Sequence, residues 1–348
     1  MLRFSKHNLI VAGLWLSKGE PNPNLLFKYF CIELRDLQEG TLIGSEHYTV
    51  SLLQNCLDSV ARCKVLCMKQ YNGAYGCTMC LHPGKTIEAG SVRYYPNKHY
   101  PKRKNMTTRE LMNDVHLSGE EIFGILDESV FVAIPGFDII SCFPPDYMHS
   151  VLLGVMKQLW LTLTKSENHS ASFHVGRRLP EIESTMLSFR PPSSIPRYPL
   201  LHYIYPSLNG ILPKEYIDHL MILSSTIFLL LNSNISEKTI DTCEKQLKQF
   251  TRKFEKIYGL GKMTYNVHLL SHLTETVRNL GALYNSSLYP YEAGKYMFHH
   301  VFSCSIVDIF DIIDRRAVPI QLIVLVLETY VSRLSDKYAV CGIVYILL

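Results

Sequence analysis

The chain has 348 residues, of which 47% are hydrophobic and 19% charged, which excludes a disordered tail and allows one large or two ordinary domains. A formal net charge of +4 does not by itself demand a nucleic-acid partner. Ten cysteines without a secretory leader read as reduced thiols of cytosol or nucleus. The apolar run at 318–331 is interrupted by Gln321 and Glu328 and is too short for a bilayer, so a soluble protein without membrane contact is expected.

Residues 8–16 form a β-branched and aromatic run closed by Ser17-Lys18-Gly19, which predicts a strand. A helix is expected over 25–37. Residues 48–57 predict a second strand, apolar enough to be central in a sheet. Segment 83–109 is broken by Pro83, Gly84, Gly90, Pro96 and Pro101 and reads as irregular. A helix over 146–164 is apolar almost all round, so it is expected to be buried. Residues 191–199 read as a proline-broken linker. Residues 236–258 predict an amphipathic helix with Ser236 as N-cap and Ile240, Cys243, Leu247, Phe250, Phe254 and Ile257 on one stripe. Nearly everything after Pro145 reads as helical, so the pattern is α+β, a small sheet in front of a helical block.

Three local clusters carry chemistry. Asp58 follows the apolar strand and precedes Ser59-Val60-Ala61-Arg62. A carboxylate there can join a second one on a divalent ion, and it can equally cap the helix that follows; the local sequence favours the cap. Cys77 and Cys80 form a C-x-x-C pair embedded among Gly73, Gly76 and Pro83. Two intervening residues let both thiolates converge on one zinc, against the plain alternative of two core cysteines. Asp146 and His149 form a D-x-x-H pair at the head of the apolar helix. His149 is the expected third zinc ligand, with His82 or Asp146 as the fourth.

Two further features carry weaker signals. His268 and His272 stand i, i+4, a spacing that can bind metal but more often marks a packed helical face. Arg93, Lys98, Lys102, Arg103 and Lys104 lie among Tyr94, Tyr95 and Tyr100. That mixture suits a nucleic-acid backbone, and a solvated loop accounts for it equally well.

Taken in order, the motifs are D-x-x-A-R, N-G-x-Y-G-C-x-x-C-x-H-P-G, D-Y-M-H-x-V-x-L-G-V, G-I-L-P, M-T-x-N-V-H-L-L-x-H-L and Y-x-Y-E. This series resembles the transposases of CACTA (En/Spm-like) DNA transposons over roughly residues 8–307. The resemblance implies an RNase H-like core interrupted by a large, mainly helical insertion, and Mg²⁺-dependent DNA cleavage and transfer at transposon ends by a D, D, E triad. It matches Asp58 to the second catalytic Asp and Glu292 to the Glu after the insertion. It also matches Cys77 with Cys80, and Asp146 with His149, to the family's Cys and D-x-x-H signatures. The implied segments are a partial nuclease core at 1–76, a zinc knuckle and basic stretch at 77–150, the helical insertion at 151–285, a returning part of the core at 286–335 and a tail at 336–348.

Three departures bear on activity. The first catalytic Asp of that family precedes the segment matching residues 8–16, and the seven residues before it hold none. The W-containing helix before G-I-L-P is shortened, and Ala293-Gly294-Lys295 stands where Asn-Gly is usual. The expectation is a transposase-derived chain inactive alone, with structural Zn²⁺, an ancestral Mg²⁺ site, a DNA partner and a nuclear location. A homo-oligomer stays open. The competing expectation is a zinc-stabilised DNA- or protein-binding module without catalysis.

Overall fold

The computed structural model describes residues 9–17, 22–43, 45–86, 92–189, 200–288, 323–334 and 337–347. The linker expected at 191–199 and the candidate acid Glu292 lie outside the described residues. The fold is mostly helical with a small sheet, α+β in class, and the chain divides into two compact units. No helix among the described residues is long and apolar enough to cross a membrane.

The first unit comprises Met1–Pro83, Tyr100–Asp146 and Ser286–Leu348. Its four-stranded sheet runs in the order β1 (Leu9–Ser17), β8 (Lys337–Leu347), β7 (Ile323–Leu334), β4 (Leu52–Cys56). The β7–β8 and β1–β8 pairs are antiparallel, and β4 lies parallel to β7 with Cys56 opposite Val326. Two strands therefore stand near the C-terminus, where the sequence pattern reads as helix and tail. Residues 48–57 do not form one central strand. Glu46–Tyr48 is β3, paired in a hairpin with β2 (Thr41–Ile43), and β4 ends the strand order. Its outer edge is covered all the same, because Asn55 N–H donates to Cys142 O at 2.8 Å and Leu57 bridges Pro145. An edge covered in this way hides the groups that would otherwise pair with another chain. This accounts for the burial of Gln54, Asn55 and Cys56 in that strand.

Helix α1 (Pro23–Glu39) starts at Asn22, whose side chain accepts from Leu25 N–H at 3.3 Å, with Pro23 in the first turn. It buries Phe27, Cys31 and Leu34, spaced i, i+4, i+7. Phe27 meets Phe131, which packs edge-on against Phe143, and Phe137 closes the group. Full burial of each such ring contributes about 2 kcal/mol or more. Helices α2 (Ser59–Val65) and α3 (Asn105–Ser118) belong to the same unit.

The second unit comprises Gly84–His99 and Tyr147–Asn285. Strands β5 (Lys85–Thr86) and β6 (Arg93–Tyr94) make a short hairpin. A π-helical stretch, Met148–Met156, runs directly into α4 (Lys157–Thr164) and buries Val151, Val155, Leu159 and Leu163, as its apolar pattern predicts. Helices α5 (Leu179–Ser188), α6 (Leu200–Leu208) and α7 (Lys214–Leu230) pack on the same core. Helix α8 (Glu237–Tyr258) is capped by Ser236, which accepts from Thr239 N–H at 3.2 Å. It buries Ile240, Cys243, Leu247, Phe250 and Phe254, the predicted stripe, with Ile257 partly buried. Beyond α8 the unit continues in α9 (Tyr265–Leu269), a 3-10 turn at Leu270–His272, and α10 (Leu273–Leu280).

His219 on α7 is fully buried, its ring stacked on Phe250 at 4.2 Å and 2°. Its Nε2 lies 3.0 Å from Phe250 O, so the neutral ring donates there. Burial drives its pKa from 6.5 down to about 4. A histidine whose folded pKa is depressed binds fewer protons folded than unfolded between those values. Its neutral form is therefore undisturbed above about pH 6.5, and stability is lost as pH falls toward 4. Between pH 7.5 and 5 the loss should be about 2 kcal/mol. Urea unfolding at both pH values checks this, and His219→Gln should flatten the difference.

Candidate metal centre

The cysteine knuckle is built by its backbone. At Gly76 an added Cβ would lie 2.1 Å from Gln70 O, so only glycine lets the chain pass that carbonyl on its way to Cys77. Lys102 bridges Cys80, Leu81 N–H donates to Pro101 O at 2.9 Å, and Arg103 N–H donates to Met79 O at 3.0 Å. The knuckle is thus half of a short ladder. Arg103 then closes it from inside. Its Nε donates to Cys77 O at 2.9 Å, and one terminal nitrogen donates to Tyr75 O at 3.0 Å and Phe123 O at 2.7 Å. Tyr75 and Phe123 both have positive φ, 58° and 48°, which costs a non-glycine residue about 1 kcal/mol or more. The guanidinium holds their carbonyls, and their rings pack edge-on at 5.3 Å.

Cys77 and Cys80 are buried. A hydrogen bond with Cys77, then burial, holds the Cys80 thiol well above the ordinary thiol range, with the nearby Arg103 opposing. In neutral form one thiol donates a hydrogen bond to the other sulfur, and a divalent cation bound there would displace the thiol protons. Cys63 on α2 is also buried nearby, and burial lifts its thiol to about 11.

The histidine pair stands where α9 gives way to the 3-10 turn. His268 stacks on Tyr95 with ring centres 5.0 Å apart and planes 18° apart, and Tyr95 N–H donates to Met263 O at 2.7 Å. His272 is buried, and its Nε2 lies 3.3 Å from Nε2 of His268. A tetrahedral zinc with Zn–N bonds of about 2.05 Å sets its two nitrogens about 3.3 Å apart.

Cys77, Cys80, His268 and His272 each offer one ligand atom, and the four atoms all lie within 4.8 Å of one another. Two sulfurs and two imidazole nitrogens can hold a metal ion such as zinc, whose preferred geometry is tetrahedral. The residues fit the ion in number, chemistry and nitrogen spacing.

The sequence-expected partners differ. The set around Cys77 and Cys80 takes His268 and His272 in place of His149, His82 and Asp146. Asp146 is buried and accepts from Leu288 N–H at 2.8 Å, a tie between segments 142 residues apart in the chain. His82 is buried with its ring on Tyr100 at 4.3 Å, and His149 is half-buried in the π-helical stretch. The sequence signal for this pair is the i, i+4 spacing of His268 and His272, which more often marks a packed helical face.

Asp58 stands just past β4 and caps α2, its Oδ1 accepting from Ala61 N–H at 2.7 Å. Arg62, one turn on, is fully buried and donates to Pro144 O at 3.0 Å. Of the basic segment, Lys98, Lys102 and Lys104 are exposed and Arg93 is half-buried. Arg103 is the correction: it is buried in the knuckle, where its planar fork matches three carbonyls, and does not face a ligand.

Compared with known proteins, the sequence matches no protein-family model and no curated protein.

Replacing Arg103 by Ala strands three buried carbonyls and should destabilise the chain by about 3 kcal/mol. Arg103→Lys should recover little, since an ammonium cannot span the same acceptors. Chemical denaturation measures the first effect. Competition with a zinc chelator should show weaker metal binding in both variants.

Proposed function

We propose that this chain is a transposase-derived protein of RNase H-like α+β type, in which Cys77, Cys80, His268 and His272 hold one structural Zn²⁺. The observation that carries the reading is the gathering of these four ligand atoms within 4.8 Å. Four protein ligands fill a tetrahedral shell and leave no open position for water or substrate, so the ion organises the fold and does not catalyse. Two of the motifs behind the CACTA resemblance supply the set. The C-x-x-C element gives the sulfurs, and M-T-x-N-V-H-L-L-x-H-L gives both imidazoles. Because the ligands are distant in sequence and meet only in the folded chain, the free energy of binding the ion adds to folding stability. DNA is the partner this reading implies, and the nucleus is the compartment that follows from it.

Purified protein should contain one zinc per chain, measured by elemental analysis. Cys77→Ser and His272→Ala should each lose most of it, and His149→Ala should keep it. Absence of stoichiometric zinc, or a Cys77→Ser protein with unchanged content, would overturn the assignment.

A second reading, Mg²⁺-dependent strand cleavage, is favoured by one observation: Asp58 stands at the C-terminal end of β4, where such a ligand belongs. Asp58→Asn separates the two roles, since asparagine caps a helix about as well as aspartate but is a far poorer ligand for Mg²⁺. With Asp58 Oδ1 engaged by Ala61 N–H, the expected result is no cleavage of transposon-end DNA and equal stability of the two proteins. Cleavage that Asp58→Asn abolishes would establish the nuclease reading instead.

A further inference from the structure

Helix α8 segregates its charges in a way that its packing does not require. Its buried stripe faces the core of the second unit. At 100° per residue, Lys238, Lys245, Arg252 and Lys256 fall within about 20° of a single line on the opposite side. Lys253, Thr242 and Gln249 flank that line, and all seven residues are exposed. The helix also holds four acids, and all are drawn to one flank. Arg278 on α10 binds Glu237, Asp241 and Glu244 at 3.3, 2.6 and 3.0 Å. Lys248 binds Glu244 as well, at 2.7 Å, and Glu255 accepts from Asn97 N–H at 2.8 Å.

Among the described residues the five cations of the ridge make no ion pair. Five like charges on one face exceed the net +4 of the entire chain. They repel one another at i, i+4 and i, i+7 spacing, a cost that a polyanion would remove.

We propose that the ridge Lys238–Lys245–Arg252–Lys256, with Lys253, is a sequence-independent docking surface for the phosphate backbone of duplex nucleic acid. The ridge is about 27 Å long, from 18 residues at about 1.5 Å each, which spans roughly eight base pairs of duplex charge at about one phosphate per 1.7 Å. An anionic membrane is the weaker fit. A membrane-surface helix needs an exposed apolar face, whereas the apolar side of α8 is buried and its ridge carries no large apolar residue. The proposal draws on the DNA-directed reading above for the class of partner and does not depend on the zinc.

The test uses the full chain and a labelled duplex of about 30 base pairs of arbitrary sequence, followed by fluorescence anisotropy from about 50 to 200 mM salt. Two triple variants, Lys245→Glu/Arg252→Glu/Lys256→Glu and the same positions to Ala, guard against an effect of charge reversal on folding. Circular dichroism and zinc content are measured on the same samples. The Glu variant should bind at least roughly tenfold more weakly at the lowest salt, and the slope of log affinity against log salt should shrink by about 3. The Ala variant should shift both quantities the same way. Parental affinity and slope in both folded variants would overturn the proposal while leaving the zinc assignment standing. So would failure of the parent to bind duplex at low salt, or loss of binding to phosphatidylserine vesicles alone.

Discussion

The guanidinium of Arg103 is the interaction on which the cysteine knuckle depends. It joins Tyr75, Cys77 and Phe123 through their carbonyls, from the position directly after Lys102, which bridges Cys80. Two of those carbonyls belong to residues at positive φ, a conformation that unsupported side chains avoid. A charged, planar donor is suited to this because it satisfies several carbonyls at once in a buried place. Without it the carbonyls of Tyr75, Cys77 and Phe123 would lose these donors. A lysine could offer charge there but not a fork.

The histidines are positioned by different means. A 3-10 turn between α9 and α10 sets His272, and the flat ring of Tyr95 fixes the plane of His268. Aromatic stacking restrains a ring's orientation without occupying either nitrogen, which leaves Nε2 directed at its neighbour. Charge is organised with the same economy on α8. Arg278 collects three acids, and the cations are left on the outer face.

The buried polar groups show how environment decides role. His219 and His272 are both buried histidines, yet one is stacked on Phe250 with a backbone carbonyl as partner and the other meets a second imidazole. Asp58 and Asp146 are both acids at element ends. The first caps a helix, and the second ties down Leu288. Local spacing suffices for the Asp58 cap on Ala61, whereas His219 and Asp146 take their partners from distant parts of the chain, which residue type does not reveal.

The sequence by itself determined what is local. The α8 stripe and its Ser236 cap, the buried helix through Leu159 and Leu163, the first strand and the turn-borne C-x-x-C pair all follow from periodicity and turn chemistry within a few residues. Only the tertiary structure decided which histidines meet the cysteines, since convergence of Cys77 and Cys80 with His268 and His272 depends on folding across most of the chain. It likewise turned Arg103 from a surface cation into a buried clamp, and placed Ile323–Leu334 and Lys337–Leu347 in a sheet with the N-terminal strand. A short apolar run carries no record of its pairing partner, and an arginine carries none of the carbonyls it will face. Both are settled by burial and long-range hydrogen bonding.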